Sequence, residues 1–240
     1  MAAQFISGHS DVDLIEIHAR TLHTHDVDGR LLAINDGGRK PAARFFLGWT
    51  ARKAIWRVRG DLPTDLVGRL GELVAAEPPG GELDRPPACL AIVRAALAEH
   101  APVADSDEGG PAYCFPEVIA EPAGAVAVTA ANAEVLRRWL PEWLSDVATG
   151  LPVRAVLVDG AAVAICACAR LPGPATEAGV ETHPAFRGSG HAVTATAAWA
   201  CAVRERGIVP LYSTGFSNAA SQRVAAKLGL RRYGASVSLG

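Results

Sequence analysis

The apolar positions in the first part of the chain alternate between strand-like and helix-like spacing. Ser10, followed by Asp11 and Asp13, is typical of a helix N-terminus and predicts a helix over residues 10–22. Apolar runs and helical periodicity then predict three strands and two helices: strands 30–35, 44–50 and 54–58, and helices 64–76 and 87–100. The acidic, glycine-containing stretch 101–111 predicts a solvated linker.

A second series of elements follows this linker. The pattern predicts, in order, strand 125–129, helix 131–147 with a break near Pro141, strands 153–158 and 161–169, strand 177–182, a helix ending near Arg206, strand 210–214, and a final helix and strand. Asp159-Gly160, between two of these strands, is a strong signal for a hairpin turn. We therefore expect an α/β protein with an N-terminal α/β region, residues 1–105, and a second domain, residues 106–240. The pattern leaves the strand order open.

The turn between strand 177–182 and the following helix contains the strongest functional signal. Gly188, Ser189, Gly190 and Ala192 leave the backbone N–H groups of the helix's first turn uncovered by large side chains. Such N–H groups, at the positive end of the helix dipole, suit a phosphate or pyrophosphate. His191-Ala192 follow Gly190 where a P-loop has lysine and a hydroxyl residue, and Val193 stands where a dinucleotide fingerprint has its third glycine. Both of those loop types are therefore disfavoured.

The pattern Arg187-x-x-Gly190-x-Ala192 resembles the pyrophosphate loop of GNAT acetyltransferases. A second motif follows at the spacing of that family, with its matching positions at Asn218, Ser221, Val224, Lys227 and Gly229. Gly229 also stands where a glycine would end the final helix. The resemblance covers roughly residues 111–240. It implies a mixed β-sheet flanked by helices and an acetyl-CoA-dependent N-acetyltransferase that acts on a primary amine. The residues that it places against coenzyme A are Val180, Thr182, Arg187, Gly188, Ser189, Gly190, His191, Ala192 and Asn218.

One departure from the family pattern concerns the general acid. Many members place a tyrosine where this chain has Ala225, so the group that protonates the leaving thiolate is left open. Tyr212, Ser213 and Ser221 are the candidates to replace it, although Tyr212 also suits a core aromatic. The same departure motivates an alternative function, a non-catalytic acyl-CoA-binding or regulatory module. A nucleotide-binding protein using the same loop is a third interpretation.

Two carboxylates on the strand before the loop are candidates for the general base. Glu177 and Glu181 are four residues apart and therefore share one face of a strand. Either can accept a proton from the acceptor amine, and Glu177 is the preferred candidate. The alternative is that they lie at a solvated edge or balance Arg187. Trp139 and Trp143, four residues apart, suit core packing or the wall of an acceptor pocket.

The composition of the chain limits the classes of binding partner that we expect. The chain has 23 basic and 25 acidic residues, a net charge of −2, which gives no electrostatic case for nucleic acid or a membrane surface. It contains neither an apolar run long enough to span a bilayer nor a signal-peptide pattern, and its five cysteines suit a reducing cytoplasm. We expect a small-molecule or peptide amine as acceptor. The aromatic strands of residues 1–105 need a partner surface, which either the second domain or a second copy in a homodimer would provide.

No metal is expected from the sequence. His18, His23, His25 and Asp26 match no standard zinc spacing, and an exposed helix end accounts for them. Cys166 and Cys168 lie on one face of an apolar strand and are interpreted as small core residues, with an acyl-enzyme cysteine as the less favoured interpretation.

Overall fold

The computed structural model describes residues 8–38, 40–77, 82–103 and 108–240. The helices in these residues are α1 (Asp11–Leu22), α2 (Thr64–Ala75), α3 (Cys89–His100), α4 (Leu144–Ala148), α5 (His191–Glu205) and α6 (Ala219–Lys227). The strands are β1 (His23–His25), β2 (Leu31–Ile34), β3 (Phe45–Trp49), β4 (Ala54–Val58), β5 (Glu108–Cys114), β6 (Ala125–Ala127), β7 (Arg154–Val158), β8 (Ala161–Cys168), β9 (Ala175–Thr182), β10 (Val209–Ser213) and β11 (Arg231–Leu239). The expected α/β class is confirmed.

The chain divides into two compact units that are not simple halves of the sequence. The first unit takes residues 9–113 together with 213–219 and 232–240, and the second takes residues 114–212 and 220–231. The predicted boundary at residues 105/106 lies outside the described residues. The last of these segments, residues 232–240, belongs to the first unit because β11 pairs antiparallel with β3, from Ala235–Trp49 to Leu239–Phe45. The division into an N-terminal region, residues 1–105, and a second domain, residues 106–240, stays a prediction.

The first unit contains the strand order β4-β3-β11-β5. Its core is a cluster of buried apolar side chains from β3, β11, α2 and α3, including Phe45, Trp49, Leu70 and Leu97. Helix α1 begins at a capping box: Ser10 Oγ accepts from the Asp13 N–H at 3.2 Å, and the Ser10 N–H donates to Asp13 Oδ2 at 2.8 Å. The predicted N-terminus of this helix is confirmed.

The histidines of the first unit differ from expectation. We expected an exposed helix end, but His18 and His23 are 0% and 5% exposed. The Nδ1 atom of His18 lies 2.9 Å from the Tyr233 hydroxyl, and its Nε2 atom lies 3.3 Å from the Ser236 hydroxyl. Because β11 supplies both hydroxyls, the sequence near His18 did not predict its burial. Within the described ranges, no group of three or more His, Cys, Asp or Glu side chains is arranged to hold a metal.

The second unit contains the strand order β10-β9-β8-β7-β6. All of its strand pairs are antiparallel except β9 and β10, which are parallel. Strands β7 and β8 meet at Asp159-Gly160, whose φ values of 48° and 76° confirm the predicted hairpin turn. Ile165 and Ala167 of β8 pack in a cluster with Leu140, while the intervening Cys166 faces Thr196 of α5. Helical segments therefore cover both faces of β8.

Two predicted elements need correction. Residues 131–147 do not form one interrupted helix but two 3-10 turns, Ala133–Leu136 and Pro141–Trp143, followed by the short α4. Pro141 cannot donate a helical hydrogen bond, and Leu140 leaves the helical region with φ −139° and ψ 46°. The predicted linker also ends earlier than expected, because residues 108–114 form β5. A Cβ atom on Gly109 would lie 2.7 Å from the Ser236 carbonyl oxygen, so glycine here allows close backbone packing.

Candidate active site

The parallel pairing of β9 and β10 ends well before β9 does. The paired residues run from Ala175 with Val209 to Glu177 with Leu211. Strand β9 continues to Thr182 and remains paired with β8 on its other side. One edge of β9 therefore has no β10 partner beyond Glu177, and its backbone groups are available to a ligand.

The hydrogen-bond alternation of β9 identifies which backbone groups point toward that edge. The Glu177 carbonyl oxygen accepts from the Ala169 N–H at 2.8 Å, and the His183 N–H donates to the Val163 carbonyl oxygen at 2.9 Å. Odd-numbered residues therefore direct their backbone groups toward β8, and even-numbered residues direct theirs away from it. Val180 and Thr182 are even-numbered, so their N–H groups face the side that β10 has left. Val180 and Thr182 are among the residues that the sequence resemblance places against coenzyme A.

The loop after β9 leads into α5 through two left-handed glycines. A 3-10 turn, Pro184–Phe186, is followed by Gly188 and Gly190 with φ values of 87° and 85°. Gly190 is the N-cap of α5 and provides no side-chain cap. The described residues offer no acceptor for the backbone N–H groups of residues 188–192, and no atom lies within 4 Å of a Cβ built on either glycine. These open N–H groups at a helix N-terminus fit an anionic group such as a diphosphate.

The side chains of the loop are less constrained than its backbone. Arg187 and Ser189 are exposed, while His191 and Ala192 are half-buried. The Arg187 Nε–H donates to the Thr182 carbonyl oxygen at 3.2 Å, which ties the loop back to the end of β9. Arg187 makes no ion pair with Glu177 or Glu181 in the described part of the chain. The alternative that these carboxylates balance Arg187 is therefore not supported.

Sequence comparison identifies the family of this site. Residues 153–235 match the model of the GNAT acetyltransferase family, a range that includes β9, the loop, α5, β10 and α6. The match spans 83 of the chain's 240 residues. Over this segment, the resemblance to GNAT acetyltransferases inferred from the loop is confirmed. No curated protein matches the chain.

Solved structures with a similar fold come from several bacteria. A GNAT-family acetyltransferase from Novosphingobium aromaticivorans is 22% identical, with 57% of this chain and 66% of that chain covered and a TM-score of 0.48. One from Colwellia psychrerythraea is 14% identical, with coverage of 60% and 59% and a TM-score of 0.45. A GCN5-related N-acetyltransferase-like protein from Streptococcus suis is 16% identical, with coverage of 84% and 85% and a TM-score of 0.47. The chain thus spans less than two thirds of the length of the first two.

The two candidate bases of the GNAT segment lie on the same face of β9 but in different surroundings. Glu177 is 4% exposed, and neither carboxylate oxygen has a hydrogen-bond partner among the described residues. Glu181 is half-buried, and its Oε2 accepts from the Trp143 Nε1–H at 2.7 Å. An unpartnered buried carboxylate is costly for the folded protein unless a ligand uses it, so Glu177 is the stronger candidate for chemistry.

Two of the candidate acids form a pair. The Tyr212 hydroxyl lies 2.7 Å from Ser221 Oγ and also donates to the Ser221 carbonyl oxygen at 3.4 Å. Tyr212 follows Leu211, the last β10 residue paired with β9. Ala225, at the position of the family tyrosine, is 1% exposed. Sequence reasoning named Tyr212 and Ser221 separately but did not predict their hydrogen bond.

The second family motif also has a confirmed structural role at its end. Gly229 has a φ of 64°, and its N–H donates to Ala226 O while the Leu230 N–H donates to Ala225 O. This is the pattern of a glycine that ends a helix, as predicted for α6. Asn218 precedes α6 in the first unit, where it is exposed and its N–H donates to Gly215 O. A contact between Asn218 and coenzyme A stays a prediction.

The cysteines of the second unit are poor candidates for a nucleophile. Burial raises the pKa of the Cys166 thiol well above its ordinary value, and burial likewise raises the pKa of Cys168. A thiol that remains protonated at neutral pH is a weak nucleophile. This disfavours the interpretation of Cys166 or Cys168 as an acyl-enzyme nucleophile. In the described part of the chain, no helix has the length and apolar composition needed to cross a membrane.

Proposed function

We propose that the protein transfers the acetyl group of acetyl-CoA directly to a primary amine. The observation that carries this proposal is the unpaired edge of β9 at Val180 and Thr182, which leads into the open N–H groups of residues 188–192. An extended pantetheine arm would take the place of the missing strand along β9, and the diphosphate would bind the loop. The loop and edge fit this ligand because both present donors without acceptors, and the glycines leave open space beside them.

In this reaction the amine nitrogen attacks the thioester carbonyl carbon, the C–S bond breaks, and an amide and the CoA thiol are formed. The backbone N–H of Val180 faces the ligand side of β9 and would polarise the thioester oxygen. Glu177 would accept the proton that the amine loses. Its burial and the absence of a partner among the described residues leave both oxygens available for this role.

The CoA thiolate that leaves must be protonated or stabilised by a hydrogen-bond donor. We propose that the Tyr212–Ser221 pair supplies it, because the 2.7 Å hydrogen bond links two hydroxyls just beyond the end of the β9–β10 pairing. The pair would substitute for the family tyrosine that Ala225 replaces. The acceptor belongs to the small-molecule or peptide amines.

The test is turnover with a panel of primary amines. The protein is incubated with acetyl-CoA and each amine, and both CoA and the acetylated amine are quantified by chromatography and mass spectrometry. We expect stoichiometric CoA and amide formation with at least one amine. Tight binding of CoA with no amide formed from any amine would contradict the transferase and favour the acyl-CoA-binding module.

A further inference from the structure

The indole of Trp143 lies directly against β9. A Cβ atom on Gly179 would lie 3.1 Å from Cη2 and 3.4 Å from Cζ3 of this ring, closer than a side chain tolerates without rearrangement. Glycine in this strand interior therefore permits the close approach. From this position the Trp143 Nε1–H reaches Glu181 Oε2, two residues further along the same face of β9. The ring and its hydrogen bond fix the Glu181 carboxylate.

A second tryptophan covers the next residue on that face. The Trp139 ring centroid lies 4.5 Å from that of His183, and Phe186 packs edge-on against Trp139 at 5.8 Å. Glu181 therefore lies between Gly179 and His183, the residue directly after β9, and each of these two is covered by an indole. The face of Trp139 already holds a cation, because the Arg138 guanidinium carbon lies 4.7 Å from its ring centroid.

The charge of Glu181 is not balanced by an ion pair within the described residues. No arginine, lysine or histidine of the described residues forms an ion pair with Glu181, and its hydrogen bond comes from the neutral indole of Trp143. A half-buried carboxylate with only a neutral donor keeps an uncompensated negative charge. A ligand cation would compensate it, and the neighbouring aromatic rings would favour the same ligand.

We propose that Glu181 binds a positively charged group of the acceptor, separate from the amine that is acetylated, and that Trp143 is the positioning residue for Glu181. The proposal rests on the acetyl transfer proposed above and identifies the acceptor class as a cationic amine. Glu177 and Glu181 are four strand residues apart, about 13 Å along β9. The acceptor therefore has two nitrogen-containing groups joined by an extended spacer.

The experiment compares three acceptors of equal chain length that differ in their far end: 1,8-diaminooctane, 8-amino-1-octanol and 8-aminooctanoate. With acetyl-CoA, wild-type protein should show a kcat/KM for the diamine about tenfold or more above that for the alcohol, with the carboxylate lowest. Glu181→Gln should remove this preference through KM of the diamine. Trp143→Phe keeps an aromatic ring but removes the N–H donor, and should reduce the preference. Trp139→Phe, whose indole does not contact Glu181, should retain it.

The outcomes separate this proposal from the proposed reaction. Turnover without preference for the diamine, or a preference that Glu181→Gln leaves unchanged, overturns the role of Glu181 while the transferase stands. If no amine is acetylated, binding of 1,8-diaminooctane is measured by calorimetry in wild type and Glu181→Gln. In that case the missing acetylation refutes the transferase, and binding of the diamine that depends on Glu181 supports the cation site. Equal binding, or none, overturns the cation site.

Discussion

Replacing Gly190 by aspartate tests whether the loop binds the diphosphate of CoA. Gly190 has φ 85° and ψ −1°, a left-handed conformation that asparagine and aspartate tolerate better than other residues. No atom lies within 4 Å of a Cβ built at this position, so either side chain is accommodated without a clash. Gly190→Asn is therefore a matched control for Gly190→Asp. The two variants share shape and backbone cost and differ in one negative charge.

The expected difference follows from the exposure of the loop. Two unit charges 4 Å apart interact by about 1 kcal/mol in water and about 4 kcal/mol at an effective dielectric constant near 20. Gly190 is only half-buried, so the lower part of that range applies. Because about 1.4 kcal/mol changes an equilibrium constant tenfold, Gly190→Asp should raise the Kd for CoA about tenfold or more above that of Gly190→Asn. Added salt should reduce this difference.

Isothermal titration calorimetry at low and high ionic strength measures the effect directly. Circular dichroism melts verify that both variants fold. Pantetheine lacks the diphosphate, so it should bind the two variants equally. Equal affinity of folded Gly190→Asn and Gly190→Asp for CoA at low salt would refute the assignment of the diphosphate to this loop.

Three further predictions concern catalysis and stability. Glu177→Gln should lower kcat about 100-fold and leave CoA affinity unchanged in calorimetry; an unchanged kcat would exclude Glu177 as the base. Tyr212→Phe and Ser221→Ala should each lower kcat about 100-fold, and the double variant should lose no more than either single one if the pair acts as a unit. Ser10→Ala should destabilise the protein by about 1 kcal/mol in urea denaturation. The hydrogen bond from Ser10 lowers the pKa of Asp13 in the folded protein. The contribution of Asp13 to the free energy of unfolding is therefore present above its unfolded pKa and is lost as pH falls through its folded pKa. The destabilisation caused by Ser10→Ala should accordingly become smaller in acid.

Local signals in the sequence predicted the parts of the fold that depend on local chemistry. The helix start at Ser10, the hairpin at Asp159-Gly160 and the helix end at Gly229 each require a particular side chain or φ value within a few residues. The glycine loop before α5 is of the same kind, since its two left-handed glycines and the helix start lie within a few residues of one another. These elements could be read directly from the residues that form them.

Long-range pairing could not be predicted in this way. The Gly109-Gly110 pair has the composition of a linker, but β5 uses Gly109 to approach the backbone of Ser236 in β11. The partner that makes this glycine necessary lies more than a hundred residues away in the sequence. His18 is similar, because its burial depends on Tyr233 and Ser236. The local sequence pattern indicates which conformations and contacts a residue permits. Packing against a distant strand determines which of these the fold uses.

The two carboxylates of β9 show the same principle at the candidate site. Because Glu177 and Glu181 are four residues apart and share one strand face, the sequence alone made both of them candidates for the general base. Their neighbours separate them: Glu177 is buried without a partner among the described residues, whereas Glu181 accepts a hydrogen bond from Trp143. A carboxylate with both oxygens available can take a proton from a bound amine, while one held by an indole is better suited to orient a charged ligand. On the proposals made above, one strand face would provide both the base and the charge recognition that a cationic acceptor requires.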